Sequence, residues 1–201
     1  MVRPRSFDEA AVLDAAAAEF RVHGYADTST EQLCEAAGLR RSSLYNAFTS
    51  KDELFVQALR RYISTAGGYQ EAVLTDGLLS GAARVRGLLD LVIGEEQEAS
   101  RDGHAAGCMI VATRMSPDLG KRDVRINNLL DQALRQQMSI VGQAVRVGQA
   151  DGSLKPDLPV EDAVRAIVAL ISGLRVLAQA GASPDELRRT AEVTLRALTA
   201  D

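Results

Sequence analysis

An all-α fold in two parts is what the sequence predicts, and three observations predict it. Apolar residues recur at three- and four-residue spacing along most of the chain, and no stretch shows strand-like alternation. Helix starts and stops are marked by Ser, Thr, Pro and Gly at the expected places. All eight aromatics, from Phe7 to Tyr69, fall in the first 69 of the 201 residues. A compact aromatic-cored domain therefore comes first, and a larger aliphatic one follows. The boundaries expected are 1–50 for the first domain, a connecting helix over 51–66, and 67–201 for the second.

From Phe7 to His23, Val12, Leu13, Ala16, Ala17 and Phe20 line one helix face, and Gly24 supplies the stop. Thr28 with Glu31 three residues later reads as a capping box, which starts a short helix at about Ser29 and ends it at Gly38. The helix Arg40–Phe48 is too short to fold alone, yet Leu44 and Phe48 are spaced to enter one core. Ser50 then caps a longer helix with Leu54, Phe55, Ala58, Leu59 and Tyr62 down one side.

Two short helices around a glycine-centred turn, braced by a preceding helix, describe a helix-turn-helix. In that geometry the second helix enters the DNA major groove. Arg40 and Arg41 offer donors to guanine or phosphate, and Ser42, Ser43 and Asn46 are short groups suited to base edges. Tyr45 carries a phenol that reaches phosphate oxygen, and Lys51, Arg3 and Arg5 add charge along the backbone path. Net charge does not help: the chain carries 23 basic and 27 acidic residues, a formal −4, so attraction to DNA must come from where the charges sit.

The run F-x-x-H-G-Y-x-x-T-S-T-E-Q-L-x-x-A-A-G-L-R-R-S-S-L-Y-N-A-F-x-S-K-D-E-L-F, from Phe20 to Phe55, resembles the amino-terminal domain of the TetR/AcrR transcriptional repressors. The resemblance covers residues 7 to 59. It implies a homodimer in which each subunit has one reading head and one helical regulatory domain. It also implies that Thr28 and Ser29 touch phosphate at a helix N-terminus, that Arg41, Ser42, Tyr45 and Asn46 face the groove, and that Lys51 pins the backbone. One departure stands out. The family usually has a capping serine or threonine where this chain has Arg40, which cannot cap in that way.

Beyond Gly67-Gly68, helices are expected at about Ala82–Ser100, His104–Met115, Arg122–Gln149, Pro159–Ala180 and Pro184–Leu198. The fourth of these is apolar almost all round and needs burial on two sides. The second cover is read as another copy of the chain, with Gly173 allowing close approach and the last helix completing the interface. His104, Cys108, Val111 and Met115 are spaced 4, 3 and 4 apart. Facing Leu134, Gln137 and Met138, they are expected to line an effector site. With no aromatic after Tyr69, such a site has no ring to stack a planar ligand or cage a cation, so a small, non-aromatic and mostly neutral effector is expected.

Other functions are weighed against this. The chain lacks G-x-S-x-G, a phosphate-cradling glycine loop, H-E-x-x-H and paired E-x-x-H, so catalysis is not expected, nor any cofactor. Two histidines and two cysteines scattered singly make no metal site. Cys34 and Cys108 are too few for a disulfide framework and point to a reducing cytoplasm. No run approaches the roughly 20 apolar residues of a membrane span, and the amino terminus does not read as a secretory signal. The expected function is a repressor that binds a palindromic operator as a homodimer and is released by an effector. The alternatives are a redox sensor acting through Cys108 and an architectural DNA binder with no effector.

Overall fold

The structure, a computed structural model, describes residues 7–101 and 107–200, without the side chains of Ser100 and Arg101. Arg3, Arg5 and His104 lie outside the described residues. Among the described residues ten helices follow one another: α1 (Glu9–Asp27), α2 (Thr30–Ala36), α3 (Arg41–Phe48), α4 (Lys51–Leu74), α5 (Gly81–Arg101), α6 (Met109–Arg114), α7 (Pro117–Arg122), α8 (Val124–Ala150), α9 (Val160–Gln179) and α10 (Pro184–Leu198). Among the described residues there is no strand, only an isolated bridge between Leu154 and Thr199. Among the described residues, no helix is long and apolar enough to cross a membrane.

The chain divides into two compact units, Met1–Thr65 with Cys108–Leu129, and Ala66–Gly107 with Leu130–Asp201. Segment 108–129, placed by its sequence position in the second domain, therefore clusters with the first. Its α6 packs on α1.

In the first unit α1 starts at Glu9 because Asp8 caps it, accepting from the Ala10 and Ala11 amides. Gly24, at φ +73°, breaks the helix where a side chain would resist, and one further turn carries it to Asp27. Helix α2 ends in a Schellman motif. Leu39 N–H donates to Cys34 O and Gly38 N–H to Glu35 O, with Gly38 at φ +62°. Phe20 and Phe55 meet edge to face at 4.9 Å, and Tyr25 packs against Phe55 at 5.1 Å. Val12, Leu33, Leu44, Phe48, Leu54 and Leu59 fill the rest of the core.

Helix α4 does not stop at Gly67-Gly68 but runs on to Leu74. Each glycine costs the helix about 1 kcal/mol against alanine. Burial of Leu74 and the hydrogen bond that Gln70 accepts from Gln137 on the following turns work against that cost. The expected His104–Met115 helix is also different. It begins only at Met109, with Cys108 as its N-cap, and ends at Arg114. A separate helix, α7, opens with Pro117 at its first turn, and Asp123 at φ −143° breaks it from α8.

The second unit is built on aliphatic packing among α5, α9 and α10, with the later turns of α8. Val85, Leu88, Leu89, Val92, Ile167 and Leu174 are all but inaccessible. A Cβ on Gly81 would sit 2.2 Å from the Gly148 Cα, so the two backbones meet where no side chain fits. The first amides of α5 are capped from the loop after α8. Gly81 N–H donates to Asp151 Oδ2 at 2.8 Å and Ala82 N–H to Ser153 Oγ at 3.0 Å. Inside this unit Arg175 of α9, 3% exposed, bonds Glu96 at 2.7 Å and Glu95 at 2.6 Å on α5.

Candidate nucleic-acid interface

Helix α3 is amphipathic by necessity. Eight residues give two turns, so Leu44 and Phe48 take the inward stripe and the other side is left to polar groups. Arg41, Ser42 and Asn46 are exposed, while Ser43 and Tyr45 are half-buried. Arg40 is the N-cap and makes no side-chain capping bond, so its guanidinium stays in solvent at the start of the helix.

Neighbouring elements orient this face. The Arg41 guanidinium bonds Glu31 of α2 at 3.1 Å and lies 5.7 Å from the Tyr45 ring centre. The Tyr45 hydroxyl is 3.1 Å from Thr30 Oγ1. Thr30 is a contributor that sequence reasoning missed, since nothing in the local pattern links it to a residue fifteen positions on. Glu31 holds a carboxylate against Arg41, so any anion that this guanidinium takes must first displace it. Both side chains are well exposed, so the pair is weak.

Two expected phosphate contacts are placed differently. Thr28 is buried, and its hydroxyl donates back to Gly24 O at 2.5 Å. The capping box lies one residue further along. The Ser29 hydroxyl accepts from Gln32 N–H at 3.1 Å, and Gln32 Oε1 accepts from Ser29 N–H at 2.7 Å. Ser29 is exposed at the N-terminus of α2 and keeps a position from which to meet phosphate. Lys51 is half-buried, with its ammonium 4.5 Å from the Tyr25 ring centre. Desolvation lowers its pKa, partly countered by the Asp52 carboxylate.

The first turn of α4 is held by a polar cluster that the sequence did not announce. Asp52 accepts a short hydrogen bond from the Tyr25 hydroxyl, and Arg122 Nη2 stands 3.8 Å from Asp52. Arg122 also lies 5.3 Å from the Tyr25 ring centre. Burial, with help from Asp52, pushes the Tyr25 phenol up to about 12. One residue on, Arg125 Nη1 bonds Glu53 at 2.8 Å. The Gln57 amide and then Arg125 hold the Glu53 carboxyl below the usual range.

The expected effector residues do not share one helix face. Cys108 is a buried N-cap, Met115 is a C-cap with 78% exposure, and Val111 is half-buried, all in the first unit. Leu134, Gln137 and Met138 belong to the second unit. There Gln137 Nε2 donates to the buried Gln70 at 2.9 Å, Met138 packs on the core, and Leu134 is exposed. Among the described residues no cluster of His, Cys, Asp and Glu could hold a metal ion.

An amino-terminal helix-turn-helix joined to a helical body defines a class of one-component bacterial regulator. Residues 12–58 match the family model described as bacterial regulatory proteins, tetR family, and residues 81–194 match a tetracyclin repressor-like C-terminal domain. The chain belongs to the tetR family. It is 32% identical to the HTH-type transcriptional repressor ComR of Escherichia coli K12, over 96% of this chain and 90% of that protein. Among solved structures it is similar to a cysteine mutant of the TetR family regulator CifR complexed with 26-bp double-strand operator DNA. Identity there is 31%, with a TM-score of 0.80 over 97% of this chain and 99% of that one. The regulatory protein TetR from Rhodobacter sphaeroides, at 21% identity and a TM-score of 0.80 over 93% and 97%, shares the fold.

Proposed function

We propose that this chain is a cytoplasmic, ligand-responsive transcriptional repressor that binds a palindromic operator as a homodimer. The observation that carries the reading is the outward face of α3, where Arg41, Ser42, Tyr45 and Asn46 stand clear of the buried Leu44 and Phe48. Arg40, Ser43, Ser29 and Lys51 complete the contact set, with Arg3 and Arg5 as further cations along the phosphates. Two such helices would enter successive major grooves about 34–36 Å apart. That ComR is a transcriptional repressor, and that CifR was solved on operator DNA, supports this direction of control.

Dimerisation is assigned to α9 and α10. Val176, Leu177 and Val193 are 52%, 42% and 70% exposed, and Gly173 has open space where a side chain would be. Large apolar groups left in solvent on two adjacent helices favour a second copy as cover.

The effector is a small non-aromatic molecule held in the second unit, with Gln137, Met138 and Leu134 among its contacts. The unit's one aromatic, Tyr69, is 59% exposed. A thiol sensor at Cys108 is less well supported, since that sulfur is buried, and burial pushes the Cys34 thiol up.

Operator selection from random duplexes with purified protein tests the reading. A palindromic motif is expected, and Arg41→Ala and Tyr45→Ala should each weaken binding to it by about 1–3 kcal/mol. No enriched motif at low salt would sink the proposal.

A further inference from the structure

The polar cluster at the start of α4 does more than decorate a surface. The link between α3 and α4 is only Thr49 and Ser50. Thr49 N–H donates to Tyr45 O at 2.9 Å and Ser50 N–H to Phe48 O at 2.6 Å, with Thr49 at φ +59°, ψ −39°. That is a tight γ-turn with little freedom. Ser50 Oγ in turn accepts from Glu53 N–H at 3.0 Å. Any shift in the first turn of α4 therefore passes directly into α3.

That first turn is gripped from outside its own neighbourhood. Arg125 lies 72 residues beyond Glu53. Its Nε donates to Asp123 Oδ1 at 3.0 Å and its Nη2 to Oδ2 at 2.6 Å as a fork, so the guanidinium is already fixed when Nη1 reaches Glu53. A preset donor loses less entropy on bonding than a free surface arginine. Arg122 acts beside it on Asp52 and on the Tyr25 ring. All these residues belong to the first unit.

We propose that Arg122 and Arg125, on the corner between α7 and α8, are positioning residues for DNA recognition, clamping Asp52 and Glu53 so that α3 is held in its reading orientation. This rests on the function proposed above, but it adds residues that lie outside the helix-turn-helix. It also makes an unusual prediction. Removing an acid from a DNA-binding protein ordinarily strengthens its attraction to a polyanion. The clamp requires the reverse at Glu53.

The experiment uses the full chain and four proteins: wild type, Glu53→Gln, Arg125→Gln and the double variant. Operator affinity is measured over a range of salt. Each single variant should bind about three- to fivefold more weakly, and the double variant no more weakly than either, because the pair acts as one unit. The slope of log affinity against log salt should not change, whereas loss of a phosphate contact would lower it by about one. Tighter operator binding by Glu53→Gln, or additive losses in the double variant, would overturn the clamp. A second measurement needs no DNA. Amide exchange in free Arg125→Gln should quicken over α3 and the first turn of α4 and stay as in wild type over α9 and α10. Unchanged exchange at α3 would overturn the clamp even if no operator is found, while a wild type that binds no duplex would sink only the function it serves.

Discussion

The first unit closes its core with rings and ties its rim with exposed ion pairs; the second closes its core with aliphatic chains and keeps an ion triad inside. In the first, Arg41–Glu31, Arg61–Asp14 and Arg125–Glu53 all sit where water screens them. Such exposed ties are weak, so the unit can be reset by a modest competing interaction such as a phosphate. In the second, Arg175 is buried between the buried Glu96 carboxylate and the half-buried Glu95, and two glycine backbones touch. Such contacts tolerate almost no substitution. The comparison sets exchangeable surface ties in the first unit against interlocked packing in the second.

The largest effect expected is at the triad. Arg175→Ala leaves the Glu96 carboxylate, 5% exposed, without its guanidinium, and should cost about 3–5 kcal/mol in denaturant unfolding. A loss under 1 kcal/mol would mean that the pair is wetter than its burial implies. Next comes Gly81→Ala, whose methyl meets the Gly148 backbone. Parting the helices there should cost on the order of 1–3 kcal/mol, measured the same way. No first-unit ion pair should match either.

Much of this architecture was legible because its signals are local. The glycine after α2, the Leu44–Phe48 spacing and the Pro184 start of α10 each lie within a few residues of the feature they specify. The misreadings share one cause, which is that local patterns were degenerate. Thr28–Glu31 and Ser29–Gln32 both fit a capping box, and the choice fell to Ser29 because the Thr28 hydroxyl is spent on Gly24. The 4-3-4 spacing from His104 to Met115 satisfies a helix on paper. Gly107 precedes the true start, and a Cβ there would collide with the Gln179 amide. The Arg125–Glu53 tie had no signal at all, since pairing across 72 residues leaves no trace in spacing.

The same contrast predicts a gain in the first unit. Thr49 is a β-branched residue in a left-handed conformation, which costs of order 1 kcal/mol or more. Thr49→Gly relieves that strain while giving the unfolded chain more freedom, so the net gain should be about 0.5–1 kcal/mol by thermal or denaturant unfolding. A loss of stability would show that the Thr49 side chain makes contacts that matter more than the strain.

The smallest effect sharpens the comparison at the rim of the first core. Burial and Asp52 raise the Tyr25 phenol from 10.0 to about 12. A group that holds its proton more tightly when folded stabilises the native state below its unfolded pKa, and that contribution fades as pH rises through the folded one. Tyr25 should therefore help fully below pH 10 and progressively less towards pH 12. Melting curves across that window should fall more steeply for wild type than for Tyr25→Phe, which has no proton to lose. The 295 nm titration of wild type should also contain a step near 12 that the variant lacks. Identical curves would mean that Tyr25 is open to solvent, and that the tie from α1 to the start of α4 is looser than its hydrogen bond to Asp52 implies.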